Sequence, residues 1–357
     1  MACTWNTPLA SIRVYVQVAM NITPTIYDDA GRSYTVVGGM ERGGSTGLSA
    51  VLLNRSGHYP RRTLFQELEK IGFDFIISIE GPRERYDIEE LSGCFPHIRF
   101  ILLKDEISIG EQINLAALEI SSPLFFVLWN DLRILHSGGA FRMAERLLLS
   151  AEELAISQQT SQYKRLCTAP LIQNSRFETL PTLIAPALYG NSVKTLSFTP
   201  VMEGKPSLYP FDWVGVYDRE RFLRIGGFDT TLTRTYWQLM DFGFRAHLWG
   251  EEIISTQLIR ISYDGDIPPE DSTAEQCYRR FYLKNIAPVF RGDSAYLPFR
   301  RFPGFFKRSQ GRLFALWKEF ISARQWVKAN SFRFRNDARS ITEVWDDFSE
   351  LSEPIEE

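Results

Sequence analysis

The stretch PLFFVLWNDLRI, residues 123–134, decides how this chain is read. Six apolar or aromatic residues run without a break and give way to Asn130 and Asp131. A short apolar run bounded by proline and a polar pair reads as a buried strand whose C-terminal end emerges at a surface. In open α/β sheets, that edge is where ligands bind. Asp131 is therefore either a ligand-holding carboxylate or a turn residue closing a core strand, a place where Asp is favoured.

The same pattern repeats on both sides of this stretch. LSAVLLN (48–54), FDFIISIE (73–80) and IRFILLK (98–104) read as strands. PRRTLFQELEKIG (60–72) reads as a helix with Pro at its start and Gly72 at its stop. EQINLAALEIS (111–121) and GAFRMAERLLLSAEELA (139–155) read as further helices. Strands alternating with helices imply a parallel sheet covered on its faces. The polar strand ends Asn54, Glu80, Lys104 and Asp131 then gather along one edge. Upstream, SIRVYVQV (11–18) and SYTVVGG (33–39) alternate like strands, and GGMERGGSTG (38–47) holds five glycines in ten residues. That loop lacks the Lys-Ser/Thr ending of a phosphate-cradling P-loop, so a flexible connector is the plainer reading. Residues 158–235 are richer in Pro and Thr and read as loops with short strands. Helical pattern returns at 218–228 and 236–250.

Composition narrows the classes. The chain has 357 residues, 44% hydrophobic and 23% charged, with a formal net charge of −3. This is ordinary globular usage, with no global signal for a polyanionic partner. The four cysteines form no CxxC pair and only four histidines accompany them. That pattern argues against a zinc site or a disulfide framework and suits a reducing compartment. No apolar run approaches the roughly 18 residues of a membrane span. The N-terminus lacks the basic and apolar regions of a leader. The expectation is a cytoplasmic protein, with peripheral membrane contact open.

In order along the chain, several segments resemble a family 2 glycosyltransferase with the A-type nucleotide-sugar fold. These are AVLLNRSGHYPRRTLFQEL (50–68), FIISIEGP (75–82), ISIGEQINLAALEISSPLFFVLWND (107–131), FLRIGGFDTTL (222–232), DFGFRAHLWG (241–250) and RRFYLKNIAPVF (279–290). The resemblance implies a Rossmann-like, mostly parallel sheet flanked by helices. It also implies transfer of a sugar from a nucleotide-diphosphate donor to a glycan, lipid-linked or protein acceptor, assisted by Mn²⁺ or Mg²⁺. By the same resemblance Asn54, Arg55, Glu80, Gly110, Asn114 and Asn130 frame the nucleotide, with Glu80 toward the base, and Asp131 holds the metal.

The chain departs from the family pattern at three places. The family's Asp-x-Asp is Trp129-Asn130-Asp131 here, so only the last carboxylate survives. The position of the usual catalytic base is Leu239, which cannot accept a proton, leaving Asp241 as the base, or else Asp212 or Asp229. The family's late metal-binding histidine corresponds to Tyr263, with Asp264 or Asp266 able to offer hard oxygen instead. His58 lies in a turn near Asn54, and His136 and His247 sit in helical surroundings. Rival readings are a binding or scaffold protein on a degenerate transferase fold, and a nucleotidyltransferase.

The C-terminal part changes character. Residues 299–339 carry eleven Lys or Arg against two acids, interleaved with ten Phe or Trp. Leu313, Leu316, Trp317, Phe320, Ile321 and Val327 form one apolar helical face, read as packing on the parent domain. The remaining basic and aromatic residues suit an anionic membrane surface. Nucleic acid ranks last, because no RNP or KH signature accompanies the charge. The expected organisation is an N-terminal strand segment (1–33), a nucleotide-sugar-binding half (34–157), an acceptor half (158–293), a basic aromatic helical extension (294–345) and an acidic tail (346–357).

Overall fold

The computed structural model describes residues 34–39, 46–55, 61–82, 87–156, 164–189, 192–263, 276–309, 311–343 and 345. The expected strand at 11–18, most of the glycine-rich loop and the acidic tail lie outside these residues, as do His58, Asp264 and Asp266.

The strands are β1 (Tyr34–Gly38), β2 (Leu48–Leu53), β3 (Ile76–Glu80), β4 (Ile98–Leu103), β5 (Leu124–Trp129), β6 (Leu132–Ile134), β7 (Arg165–Gln173), β8 (Leu183–Tyr189), β9 (Ser192–Phe198), β10 (Gly215–Asp218), β11 (Glu252–Tyr263), β12 (Val289–Arg291) and β13 (Ser294–Tyr296). The helices are α1 (Arg61–Ile71), α2 (Ile88–Cys94), α3 (Ile109–Glu119), α4 (Ser137–Ile156), α5 (Arg219–Arg224), α6 (Thr235–Leu248), α7 (Gln276–Phe281), α8 (Phe302–Arg308), α9 (Leu313–Ala329) and α10 (Ala338–Glu343).

Nine strands form the central sheet in the order β1-β4-β3-β2-β5-β10-β7-β11-β6. β4, β3, β2 and β5 are parallel neighbours, and β10 inserts antiparallel between β5 and β7. β7 runs parallel to β11, while β1 and β6 close the two edges antiparallel. β2, β3 and β5 are buried along their whole length, which is why their apolar runs do not alternate. From β2 the chain builds outward to β3 and β4, then returns to place β5 on the other side of β2. The point between β2 and β5 is therefore the topological switch, where a crevice opens beyond the strand ends.

The middle of the chain is more regular than its composition suggests. β7 is nine residues long and lies inside the sheet. Pro170 lies within it, although proline cannot donate to a ladder. It is tolerated because the β7–β11 register shifts between Thr256 and Arg260, and Thr256 is the partner of Pro170. β8 and β9 form a separate hairpin.

Helix α6 is buried from Tyr236 to Ala246 and forms the centre of the second layer. Gly243 sits there because a Cβ would stand 2.3 Å from the Leu208 carbonyl oxygen. The C-terminal extension packs through a smaller core in which Leu316, Phe320, Ala323 and Val327 of α9 meet Tyr282, Leu283 and Phe305. Leu316, Phe320 and Val327 follow the expected face, but Leu313 and Trp317 are exposed. Among the described residues, no helix is long and apolar enough to cross a membrane.

Gly243→Ala should destabilise the fold by about 1–3 kcal/mol through overpacking, measured as a lowered denaturant midpoint with unchanged m-value.

Candidate active site

Two loops meet at the switch point. The one after β2 carries Asn54 and Arg55, and the one after β5 carries Asn130 and Asp131. Asn54 donates from Nδ2 to the Ile79 carbonyl at 2.6 Å, tying the end of β2 to β3. Asn130 clamps the backbone of Arg55 on both sides: its Oδ1 accepts from Arg55 N at 3.0 Å, and its Nδ2 donates to Arg55 O at 3.3 Å. The guanidinium of Arg55 then lies over the Trp129 ring at 4.0 Å, a cation–π contact.

Around that guanidinium stand three oxygen-bearing side chains. Asp212 forms an ion pair with Arg55 Nη2, Tyr263 accepts a hydrogen bond from Nη1, and Asp131 Oδ2 lies 3.7 Å from Nε. Asp131 and Asp212 are 7% and 11% exposed, and Arg55 is 18% exposed, so the cluster reaches solvent through the arginine. Asp212 and Trp213 both have positive φ, at 51° and 67°. Asp tolerates this region, but a bulky Trp there is strained. The strain is held by Trp129 Nε1 donating to Asp212 O at 2.9 Å and Tyr217 donating to Trp213 O at 2.7 Å. Burial, opposed by Arg55 and assisted by the charges of Asp212 and Asp131, pushes the Tyr263 phenol well above its ordinary pKa, so it stays protonated.

Glu80 ends β3 with no exposed surface. Its Oε1 accepts from Ser78 Oγ at 2.7 Å and from Arg61 Nη2 at 2.5 Å, and Arg61 also reaches Asp87. Gly110 and Asn114 lie elsewhere. Asn114 exchanges two 2.9 Å hydrogen bonds with the backbone of Phe228, and a Cβ on Gly110 would stand 2.6 Å from Phe228 Cβ. These two residues hold the turn after α5, where Gly226 and Gly227 take positive φ.

Asp241 also departs from its expected place. It lies in the middle of α6, fully buried. Oδ1 accepts from Lys284 at 2.7 Å and Asn285 at 2.8 Å, and Oδ2 accepts from Arg245 at 2.9 Å. Lys284 also reaches Asp229 at 2.7 Å, and Arg280 pairs with Asp229 at 3.1 Å. A π-helical turn, Tyr282–Ile286, brings both Lys284 and Asn285 inward. Burial by itself would raise both carboxyls. Lys284 outweighs it, with Arg280 on Asp229 and Arg245 on Asp241, and holds both below the ordinary carboxylate range. Asp241 is thus a fully buried charge clamp between α6 and the π-turn. Leu239 is buried beside it in α6.

Sequence reasoning had no signal for Trp129 as a platform for Arg55, nor for the pairing of Arg55 with Asp212. Both depend on contacts between distant segments. His136 is exposed just before α4. His247 packs edge-to-face on Trp345, and its Nε2 lies 3.0 Å from the Ser207 carbonyl. Burial pushes the His247 pKa down to about 4, against the pull of the Ser207 and Leu208 backbone.

No family model and no curated protein matches the sequence. Among solved structures, the chain is similar to GalNAc-T7 crystallised with UDP, GalNAc and Mn²⁺, with a TM-score of 0.51 and 11% identity over 86% of this chain. The match spans 58% of the length of that structure. Two further similar structures are S. aureus TarS, with a TM-score of 0.43 and 9% identity over 82% of this chain and 46% of that one, and the mannosyltransferase PcManGT from Pyrobaculum calidifontis in complex with GDP-Man and Mn²⁺, at 0.41 and 7% over 86% and 81%. The first likeness, together with the sheet order, identifies the fold as that of the A-type glycosyltransferases.

Acid should destabilise the protein in two stages. His247 has a folded pKa of about 4, below its unfolded value of about 6.5. Its contribution is therefore complete above the unfolded value and is lost as pH falls through the window between the two. Asp229 and Asp241, also depressed, contribute above their unfolded value of about 3.9 and lose that contribution at lower pH. Melting temperature followed from pH 7 downward checks this, and His247→Gln should flatten the first stage.

Proposed function

We propose that this protein transfers a sugar from a nucleoside-diphosphate sugar to an acceptor hydroxyl at the β2–β5 edge. The observation that carries the proposal is the convergence of Asp131, Asp212 and Tyr263 on Arg55 at the topological switch point of an A-type glycosyltransferase fold. A guanidinium presents a planar fork of donors that suits phosphate oxygens. Arg55 is pre-positioned for this by the Trp129 face and the Asn130 clamp. Glu80, fixed by Arg61 and Ser78 one strand away, forms the wall on the side of the base.

The residues suit a divalent cation in part. Carboxylates supply the hard oxygen that Mg²⁺ or Mn²⁺ takes, and Arg55 beside Asp131 marks this as a place where positive charge is stabilised. Among the described residues, no three His, Cys, Asp or Glu side chains gather around one point. Asp131 would therefore hold the ion together with diphosphate oxygens and water. Once bound, the ion supplies Lewis-acid neutralisation of the leaving diphosphate.

The chain's own residues do the rest. As the bond between the anomeric carbon and the diphosphate oxygen breaks, its electron pair stays with the diphosphate, which Arg55 faces. The acceptor oxygen bonds the anomeric carbon and its proton passes to the Asp212 carboxylate, a general-base role open to a positioned carboxylate. Asp212, 11% exposed at this edge, takes this part in place of Asp241, which is fully buried with both oxygens held by Lys284, Asn285 and Arg245. A second reading, a binding protein on a degenerate transferase fold, is favoured by Leu239, buried at the family's base position.

A thermal-shift panel of UDP, GDP, CDP and dTDP, each with and without Mn²⁺, tests the donor site. One nucleotide should stabilise the protein by about 2.7 kcal/mol at about 100 times its Kd, with an Mn²⁺ enhancement lost in Asp131→Ala. Silence for all four nucleotides would sink the proposal. Asp212→Asn should lower kcat about 10²–10⁴-fold with nucleotide affinity nearly unchanged, whereas binding without any turnover in the native chain would favour the second reading.

A further inference from the structure

Helix α9 has two apolar faces, and only one of them is covered. Leu316, Phe320, Ala323 and Val327 lie in the small C-terminal core. Leu313, Phe314 and Trp317 point away from it, with Phe314 86% exposed. These three are neighbours on one helical surface, since residues three and four apart stack along a helix.

The patch continues onto the preceding segment. The Trp317 ring stacks on Phe299 at 6.1 Å and meets Phe302 edge-on at 4.9 Å. Phe302 in turn stacks on Phe306 at 6.2 Å. Phe299 and Phe306 are both exposed. Five large exposed apolar side chains are thus gathered on two consecutive segments and linked through Phe302 and Trp317. A contiguous apolar surface of this kind marks an interaction site.

Charge identifies the partner. Between residues 299 and 318 there are six Lys or Arg and no Asp or Glu, in a protein whose formal net charge is −3. Arg300, Lys307, Arg308, Arg312 and Lys318 are exposed among the aromatic residues. Bulky apolar side chains ringed by cations fit the boundary of an anionic bilayer, where rings enter the headgroup layer and cations meet lipid phosphates. Single-stranded nucleic acid needs open ring faces on which bases stack. Here the Phe299 face is covered by Arg324 at 4.2 Å, and Trp317 and Phe299 stack on each other. What projects beyond this stack is Leu313 and Phe314, whose exposed side chains, ringed by cations, suit insertion among acyl chains.

We infer that the surface formed by Phe299, Phe306, Leu313, Phe314 and Trp317 with its surrounding cations is a docking site for an anionic lipid bilayer. It holds the protein at a membrane surface without crossing it. The inference does not depend on the donor-site reading, because it uses none of the residues of that site and needs no nucleotide.

Co-sedimentation of the full chain with vesicles of phosphatidylcholine, alone or mixed with phosphatidylglycerol, tests it. Binding should appear only with the anionic mixture and weaken as salt is raised. The double variant Leu313→Ser/Phe314→Ser should bind at least tenfold more weakly with an unchanged melting temperature, since both side chains are exposed. Lys307→Glu/Arg312→Glu should lose binding to the anionic mixture to a similar degree. Absence of binding to the anionic vesicles, equal binding by either double variant, or binding to a single-stranded oligonucleotide in preference to vesicles would overturn the inference.

Discussion

The parallel pairing of β2 with β5 is the constraint on which the rest of the molecule depends. Its register runs from Leu48 opposite Leu124 to Leu53 opposite Trp129, with every side chain of both strands buried. A one-residue slip would turn each strand's inward side chains outward, so a fully buried pair tolerates none. That register sets Arg55 and Asn130 side by side, close enough for the amide to grip the arginine backbone from both directions. Trp129, the last residue of β5, then supports the guanidinium, and its indole N–H fixes the strained turn at Asp212. Charge placement at the edge is thus a direct outcome of hydrophobic register in the sheet.

A second centre of organisation is the buried ammonium of Lys284. It joins Asp229 after the glycine turn to Asp241 in α6, and lies 4.6 Å from the Trp326 ring of α9. Buried ion pairs add little net stability, but removing one partner leaves a costly bare charge. The network therefore works as a specification device. The observed arrangement of α6, the π-turn and the turn after α5 satisfies both carboxylates together with Arg245 and Arg280.

Much of the fold was legible because the central strands are buried on both sides. LSAVLL and LFFVLW stand out as unbroken apolar runs, and the intervening helices carry ordinary start and stop signals. β7 fell in a stretch whose Pro and Thr content read as loops with short strands, and the bulge that accommodates Pro170 is announced by no local pattern. The site was legible in part. Asp131 was read from its position at a strand end and Arg55 from the family resemblance, and both lie at the edge. The surroundings of Asp241 were not legible, because they are set by Lys284, 43 positions further on, and a carboxylate's neighbours cannot be read from its own segment. Arg55 and Asp212 are 157 positions apart, and only the folded sheet brings them together. On α9, helical periodicity identified apolar positions correctly but could not tell the covered face from the open one.

The π-turn at Tyr282–Ile286 has an evolutionary consequence. Such a turn accommodates one residue more than the regular helix beside it. Deleting a single residue there would restore α-helical geometry and rotate everything after it by about 100° around the axis. Lys284 and Asn285 would leave the carboxylates, and the segment leading to α9 would be re-aimed. Insertions and deletions within this turn should therefore be tolerated less well than substitutions beside it.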